Sequence, residues 1–127
     1  YKKNPNICTS YITQKKELTD IEIKLLKDKI FGCDICQNKC PYNENISFSK
    51  IKEFKPLEFM ENGKYEVYAE INNKAFKEKI LPTSCGWRGK NIIKRNAIIR
   101  LHNRGVNIEK YKGDSPYLNK YIEILNK

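Results

Sequence analysis

Four cysteines define the chemistry this sequence can carry. The segment Cys33-Asp34-Ile35-Cys36-Gln37-Asn38-Lys39-Cys40-Pro41 reads Cys-x2-Cys-x3-Cys-Pro, the last three ligand positions of a bacterial iron–sulfur run. Thiolates are soft donors, and short loops let neighbouring sulfurs reach different irons of one cube. Where two clusters share such runs, the cysteine before proline ligates the other cluster. Cys33 and Cys36 are therefore expected on one cluster and Cys40 on a second. Cys8, near the N-terminus, is the natural third ligand to join Cys33 and Cys36.

That count does not close. Two cubane clusters take about eight thiolates, and these positions supply half of them. One upstream Cys-x2-Cys-x2-Cys-x3-Cys-Pro run would supply the rest, so the sequence reads as the second half of a two-cluster protein. It also opens on Tyr1 rather than Met, as expected of a piece of something longer. Two other classes stay open. One is a self-contained, ferredoxin-like electron-transfer protein with a single cluster on the same four thiolates. The other is a zinc-dependent RNA-binding module, although zinc favours paired Cys-x2-Cys knuckles and seldom has proline directly after a ligand. Cys85 is expected to be a small buried thiol.

Composition narrows the setting. The 127 residues allow one modest core. No apolar run is long enough to span a membrane, and no export signal is evident. An odd cysteine count of five fits a closed disulfide framework poorly, so a reducing, cytoplasmic compartment is expected. The single His102 argues against a His-rich zinc site and a Cys/His hydrolase.

The net charge of +10 is concentrated. From Lys77 to Lys112 there are ten basic residues against two acidic ones, a surplus of +8. All four arginines lie between Arg88 and Arg104, where the Lys-rich bias of the chain would have supplied lysine. The planar guanidinium suits phosphates and base edges, so this segment is expected to face nucleic acid; the alternative is a solvated helix face. Trp87 is expected to plug the core beneath the basic loop, the other reading being a base-stacking platform.

The elements that must position these residues are expected to be mainly helical. Thr19-Asp20-Ile21-Glu22 is a capping box for a helix over about 20–31, with Gly32 as its left-handed cap. Residues 57–80 read as irregular to helical, with a turn signal at Asn62-Gly63, strand-like alternation at 65–68 and a short helix at 74–80 capped by Asn72 or Asn73. Asn91 and Gly105 bracket a helix presenting Ile93, Ala97 and Leu101 on one face. Ser115-Pro116 starts an amphipathic helix through Leu118, Tyr121, Ile122 and Leu125.

Several of these segments together carry a family resemblance. Cys8-Thr9-Ser10-Tyr11-Ile12-Thr13, then Ile30-Phe31-Gly32-Cys33-Asp34, Cys36-Gln37 and Cys40-Pro41-Tyr42-Asn43, resemble epoxyqueuosine reductase from its second cluster motif onward. So do Phe76-Lys77-Glu78-Lys79, Gly86-Trp87-Arg88-Gly89-Lys90 and Arg95-Asn96-Ala97. The resemblance implies a cobalamin-dependent oxidoreductase that reduces epoxyqueuosine to queuosine at the wobble position of tRNA, with two [4Fe-4S] clusters feeding electrons to the cobalt. It implies the second half of a ferredoxin-like, α-helical double-cluster domain over residues 1–56. A short helical-repeat (HEAT-like), tRNA-facing segment would follow over 57–127. Cys8, Cys33 and Cys36 would bind one cluster and Cys40 the other. Ser10, Asp34 and Ile35 would lie close to cobalamin. Trp87, Arg88, Lys90, Lys94, Arg95 and Asn96 would lie against the tRNA anticodon region. The cobalamin-binding domain and the catalytic acid would belong to an upstream domain or polypeptide, leaving this chain inactive alone.

Overall fold

Thr19 opens a helix in the way its capping box predicts. Its hydroxyl accepts from the Glu22 amide at 3.3 Å, and the Glu22 carboxylate accepts from the Thr19 amide at 2.9 Å. In the computed structural model, which describes residues 4–61 and 63–127, this helix is the second. Helix α1 is Thr9–Gln14 and α2 is Asp20–Leu26. Among the described residues there are helices and turns and no strand. Helix α2 stops well before residue 31, because Leu26 is buried with Ile12 and Ile23 whereas Ile30 and Phe31 pack against other clusters. One straight helix cannot serve all of them. The chain breaks at Lys27 (φ +50), and Gly32 (φ +69) forms a separate left-handed turn just before Cys33.

Helix α3 (Ile35–Asn38) and a 3-10 turn at Pro41–Asn43 carry the cysteine run. Residues 44–58 are all exposed, and α4 (Glu58–Glu61) ends that stretch. Tyr65–Ala69 forms α5 rather than a strand. Ala69 is buried with Tyr65 and Tyr68 packed beside it, while Val67 faces solvent. Asn62, half of the expected turn signal, lies outside the described residues, as does Tyr1. Asn72 caps α6 (Asn73–Ala75), accepting from the Ala75 amide at 2.8 Å, and the helix widens into a π-turn over Phe76–Ile80.

Helix α7 (Lys90–Asn103) is the axis of the molecule. Its N-cap is Gly89 at φ +87 rather than Asn91, whose side chain points instead toward Ser115 Oγ at 3.5 Å. Gly105 (φ +76) closes its far end, with its amide and that of Val106 donating to the His102 and Leu101 carbonyls. Ser115 and Pro116 start α8 (Pro116–Leu125) as expected. Helix α7 is not amphipathic: Ile92, Ile93, Ala97, Ile98, Ile99 and Leu101 are all buried, so apolar residues occupy most of its circumference. It contributes to every core cluster, and Ile12, Ile23 and Leu26 share one of these with Ile99 and Tyr121. The boundary expected at 56/57 lies in the exposed stretch, and the core is continuous across both parts.

Candidate functional site

The cysteines are disposed along short turns. Cys8 is the N-cap of α1, Cys33 follows the left-handed Gly32, Cys36 lies in α3, and Cys40 is the N-cap of the 3-10 turn opened by Pro41. All are free thiols, each half-buried. Their donor chemistry fits an iron–sulfur cluster: soft sulfur on short, turn-rich segments next to solvent. Among the described residues no three His, Cys, Asp or Glu side chains are gathered into a ready-made metal site. Thiol sites commonly assemble only around their metal. Cys85 is half-buried as well, packed against the Ile71, Phe76, Ile80 and Ile93 cluster.

The residues expected beside cobalamin lie on two separate segments, Ser10 in α1 and Asp34 and Ile35 in the cysteine run. Ser10 is half-buried in the first turn of α1, its carbonyl accepting from Thr13 Oγ1 at 2.7 Å and Gln14 Nε2 at 3.0 Å. Asp34 and Ile35 are exposed between the two thiols of the Cys33–Cys36 pair.

The basic segment divides into an outer and an inner set. Trp87 is 65% exposed, which corrects the expectation that it plugs the core. Beside it Gly86 is buried, and a Cβ there would lie 2.4 Å from Leu81 Cα, so the backbone itself packs where a side chain would otherwise stand. The Arg88 guanidinium lies over the Trp87 ring, 4.8 Å from the centroid, and is exposed. Lys90 Nζ donates to Asn73 Oδ1 at 2.6 Å. Lys94 is half-buried, and its ammonium is held below the usual lysine range by that burial and by the like charge of Lys90.

Arg95 and Asn96 form the inner set and correct the reading of them as RNA contacts. Both are fully buried. Arg95 Nη1 donates to the carbonyls of Lys15 (2.7 Å) and Lys16 (2.9 Å) and to the Tyr117 oxygen (2.7 Å). Its Nε and Nη2 donate to Asn96 Oδ1 at 3.0 and 2.8 Å, and the Tyr121 ring lies 5.3 Å away. Asn96 Nδ2 in turn donates to the carbonyls of Thr13 (2.8 Å) and Ile30 (2.6 Å). With Arg88 Nε donating to the Gln14 carbonyl at 2.7 Å, these three side chains serve the carbonyls at the C-terminal end of α1, which no helix turn would satisfy. Burial also holds the Tyr117 phenol protonated, its pKa pushed well above the usual tyrosine value despite the nearby Arg95. Arg100 and Arg104 both lie over Tyr65, at 5.2 and 4.7 Å. Of the four arginines, only Arg95 is fully inside the fold; Arg100 is half-buried, and Arg88 and Arg104 are exposed.

The geometry adds residues that sequence reasoning missed. Tyr11, Gln14, Lys15 and Lys16 line a groove with Trp87 and Arg88. Tyr11 is half exposed and Lys15 Nζ lies 5.9 Å from its ring centre. The signal was present in an aromatic and a lysine spaced i, i+4, next to one another on a helix surface. Lys15 is also paired with Glu22 at 2.5 Å, which raises its pKa.

No protein-family model matches the chain. It is 41% identical over 101 residues to the epoxyqueuosine reductase of Listeria monocytogenes, covering 79% of this chain and 27% of that protein. It is 35% identical over 99 residues to that of Bacillus subtilis, covering 77% and 26%. Among solved structures, epoxyqueuosine reductase from Bacillus subtilis matches with a TM-score of 0.83 at 29% identity, over 96% of this chain and 35% of the other. An epoxyqueuosine reductase with an epoxyqueuosine-modified tyrosine tRNA stem loop matches with a TM-score of 0.84 at 29% identity and the same coverage. The chain spans about a quarter of the length of the curated relatives it matches. In sequence and in fold, this chain is similar to epoxyqueuosine reductases, as a partial match consistent with a C-terminal portion of those proteins.

Proposed function

We propose that this chain is the cluster-carrying, C-terminal portion of a cobalamin-dependent epoxyqueuosine reductase, which reduces epoxyqueuosine to queuosine in tRNA. The observation that carries this reading is the Cys33–Cys40 run within a fold that matches epoxyqueuosine reductases over 96% of the chain. Cys8, Cys33 and Cys36 hold one [4Fe-4S] cluster and Cys40 reaches a second, in the second half of a double-cluster domain. When bound, the clusters supply single electrons to the cobalt of cobalamin. Ser10, Asp34 and Ile35 line the cobalamin side. The exposed apolar Ile35 suits contact with the face of a corrin ring. The catalytic acid is contributed from elsewhere in the longer protein.

Helices α7 and α8 form the short HEAT-like pair, and the tRNA anticodon region lies against Trp87, Arg88, Lys90 and Lys94, with Tyr11 across the groove. Exposed aromatics beside cations are the surface expected to stack unpaired bases and meet phosphates. A second exposed surface supports a protein partner. Tyr42 and Phe48 are 91% and 90% exposed, and Ile46, Ile51, Phe54 and Leu57 follow along the same stretch. So many large apolar side chains on 15 or so residues mark a buried interface, which we assign to the upstream cobalamin-binding domain. No helix among the described residues is long and apolar enough to cross a membrane, and tRNA as substrate assigns the enzyme to the cytoplasm.

A chimaera tests the reading. Residues 8–127 replace the matching portion of the Listeria monocytogenes relative, and queuosine and epoxyqueuosine in tRNA are measured by mass spectrometry. Queuosine should form with the parent sequence and be lost with Cys36→Ser. Undiminished queuosine with Cys36→Ser would overturn the assignment.

A further inference from the structure

The turn that delivers Cys33 is fastened from outside itself. Residues 27–32 connect α2 to the cysteine run and contain two positive φ angles, at Lys27 and Gly32. A short segment with two such residues has little intrinsic reason to keep one conformation. Three side chains grip it. Asn103 Nδ2 donates to the Lys27 carbonyl at 3.3 Å, Asn96 Nδ2 donates to the Ile30 carbonyl at 2.6 Å, and Thr13 Oγ1 accepts from the Gly32 amide at 3.1 Å. Asn96 and Asn103 are seven residues apart on α7, hence on one face two turns apart. The third grip depends on the first helix, because the Thr13 carbonyl also accepts from Asn96 at 2.8 Å.

From this geometry we infer that Asn96 is a positioning residue for the cluster-binding turn: its carboxamide locks the end of α1 and the Ile30–Gly32 turn together, and so sets where Cys33 stands relative to Cys8. Arg95 orients that carboxamide by donating twice to its Oδ1, which leaves Nδ2 no choice but to face Thr13 and Ile30. Asn96, Thr13 and Arg95 are fully buried, so a carboxamide deprived of these partners has no ready replacement from water. The consequence for a cluster rests on the proposed function; the mechanical role does not.

The test uses the full chain with Asn96→Asp, which keeps the acceptor facing Arg95 and removes both donations, and with Thr13→Val, which removes the acceptor for Gly32 together with the local donation to the Ser10 carbonyl and leaves Asn96 in place. Backbone amide exchange is followed residue by residue. In both variants the Gly32 amide should exchange at least tenfold faster, while amides of Leu101 in α7 and Ile122 in α8 stay within twofold of the parent. After anaerobic loading with iron and sulfide, a chelator should strip iron at least tenfold faster from both variants. Unchanged exchange at Gly32, or equal acceleration at all of these amides, would overturn the positioning role. If Gly32 loosens selectively but the parent takes up no iron and sulfide, the positioning role stands and the cluster reading falls.

Discussion

The Arg88 guanidinium stacks over the Trp87 ring at 4.8 Å while its Nε donates to the Gln14 carbonyl at 2.7 Å. One arginine thereby ties the exposed tryptophan to the end of α1. It also presents its remaining N–H groups and the indole face to whatever enters the groove. Trp87 fluorescence should be quenched on adding a tRNA anticodon stem loop, and Trp87→Ala should weaken that binding by about 1–3 kcal/mol. Because the ring is exposed, urea unfolding should move by about 0.5 kcal/mol or less. Intact binding with an unchanged spectrum would place the RNA elsewhere.

Arg88 and Arg95 should behave oppositely. Arg88→Ala should flatten the slope of log affinity for tRNA against log salt by about 0.7–0.9, one phosphate's worth of released counterions. The loss should be similar with and without the modified base, since phosphate contacts carry no sequence information. Arg95→Ala should leave the slope unchanged in the folded protein and lower stability by about 3 kcal/mol, because the buried Asn96 and three part-buried acceptors lose a charged donor. Titrations at several salt concentrations, beside urea unfolding, check both. A flattened slope for Arg95→Ala would contradict its internal role.

Gly86→Ala should disturb the basic loop more than the core. A Cβ at Gly86 meets the backbone of Leu81 and Ile80, which cannot move aside as a side chain could. A cost of about 1–3 kcal/mol is expected, with a shifted Trp87 emission maximum. An unshifted maximum together with unchanged stability would show that Gly86 is not what sets the loop.

Where a side chain answers to its own neighbours in sequence, the structure was legible beforehand. Thr19 with Glu22, Asn72 with Ala75 and Ser115 with Pro116 are closed by residues at most three positions apart. The turns around the cysteine run are local in the same way, since Gly32 and Pro41 stand directly beside Cys33 and Cys40. Helix α7 was not. Periodicity suggested a single apolar face, and the identity of Arg95 and Asn96 suggested an RNA surface. Their acceptors at Lys15, Lys16, Thr13 and Ile30 lie 66 to 83 residues away, a distance over which local pattern carries no information. The early end of α2 has a similar origin, since Leu26 and Ile30 are claimed by different core clusters.

The two ends of the cysteine run should be separable. In the chimaera with the Listeria monocytogenes relative, Cys36→Ser should abolish the cluster shared with Cys8 and Cys33. Cys40→Ser should abolish the other, because a cysteine before proline ligates across to the second cluster. Electron paramagnetic resonance of the dithionite-reduced proteins should show each variant keeping one signal and losing the other. Loss of the same signal in both would mean that the four thiolates close on a single cluster.

The most direct measurement is the visible absorption of the purified chimaera after anaerobic loading with iron and sulfide, before and after dithionite. The assignment of Cys8, Cys33, Cys36 and Cys40 to iron–sulfur chemistry predicts a brown protein that dithionite bleaches and that Cys33→Ser leaves clearly paler. A colourless, redox-silent protein holding zinc on those thiolates would contradict it.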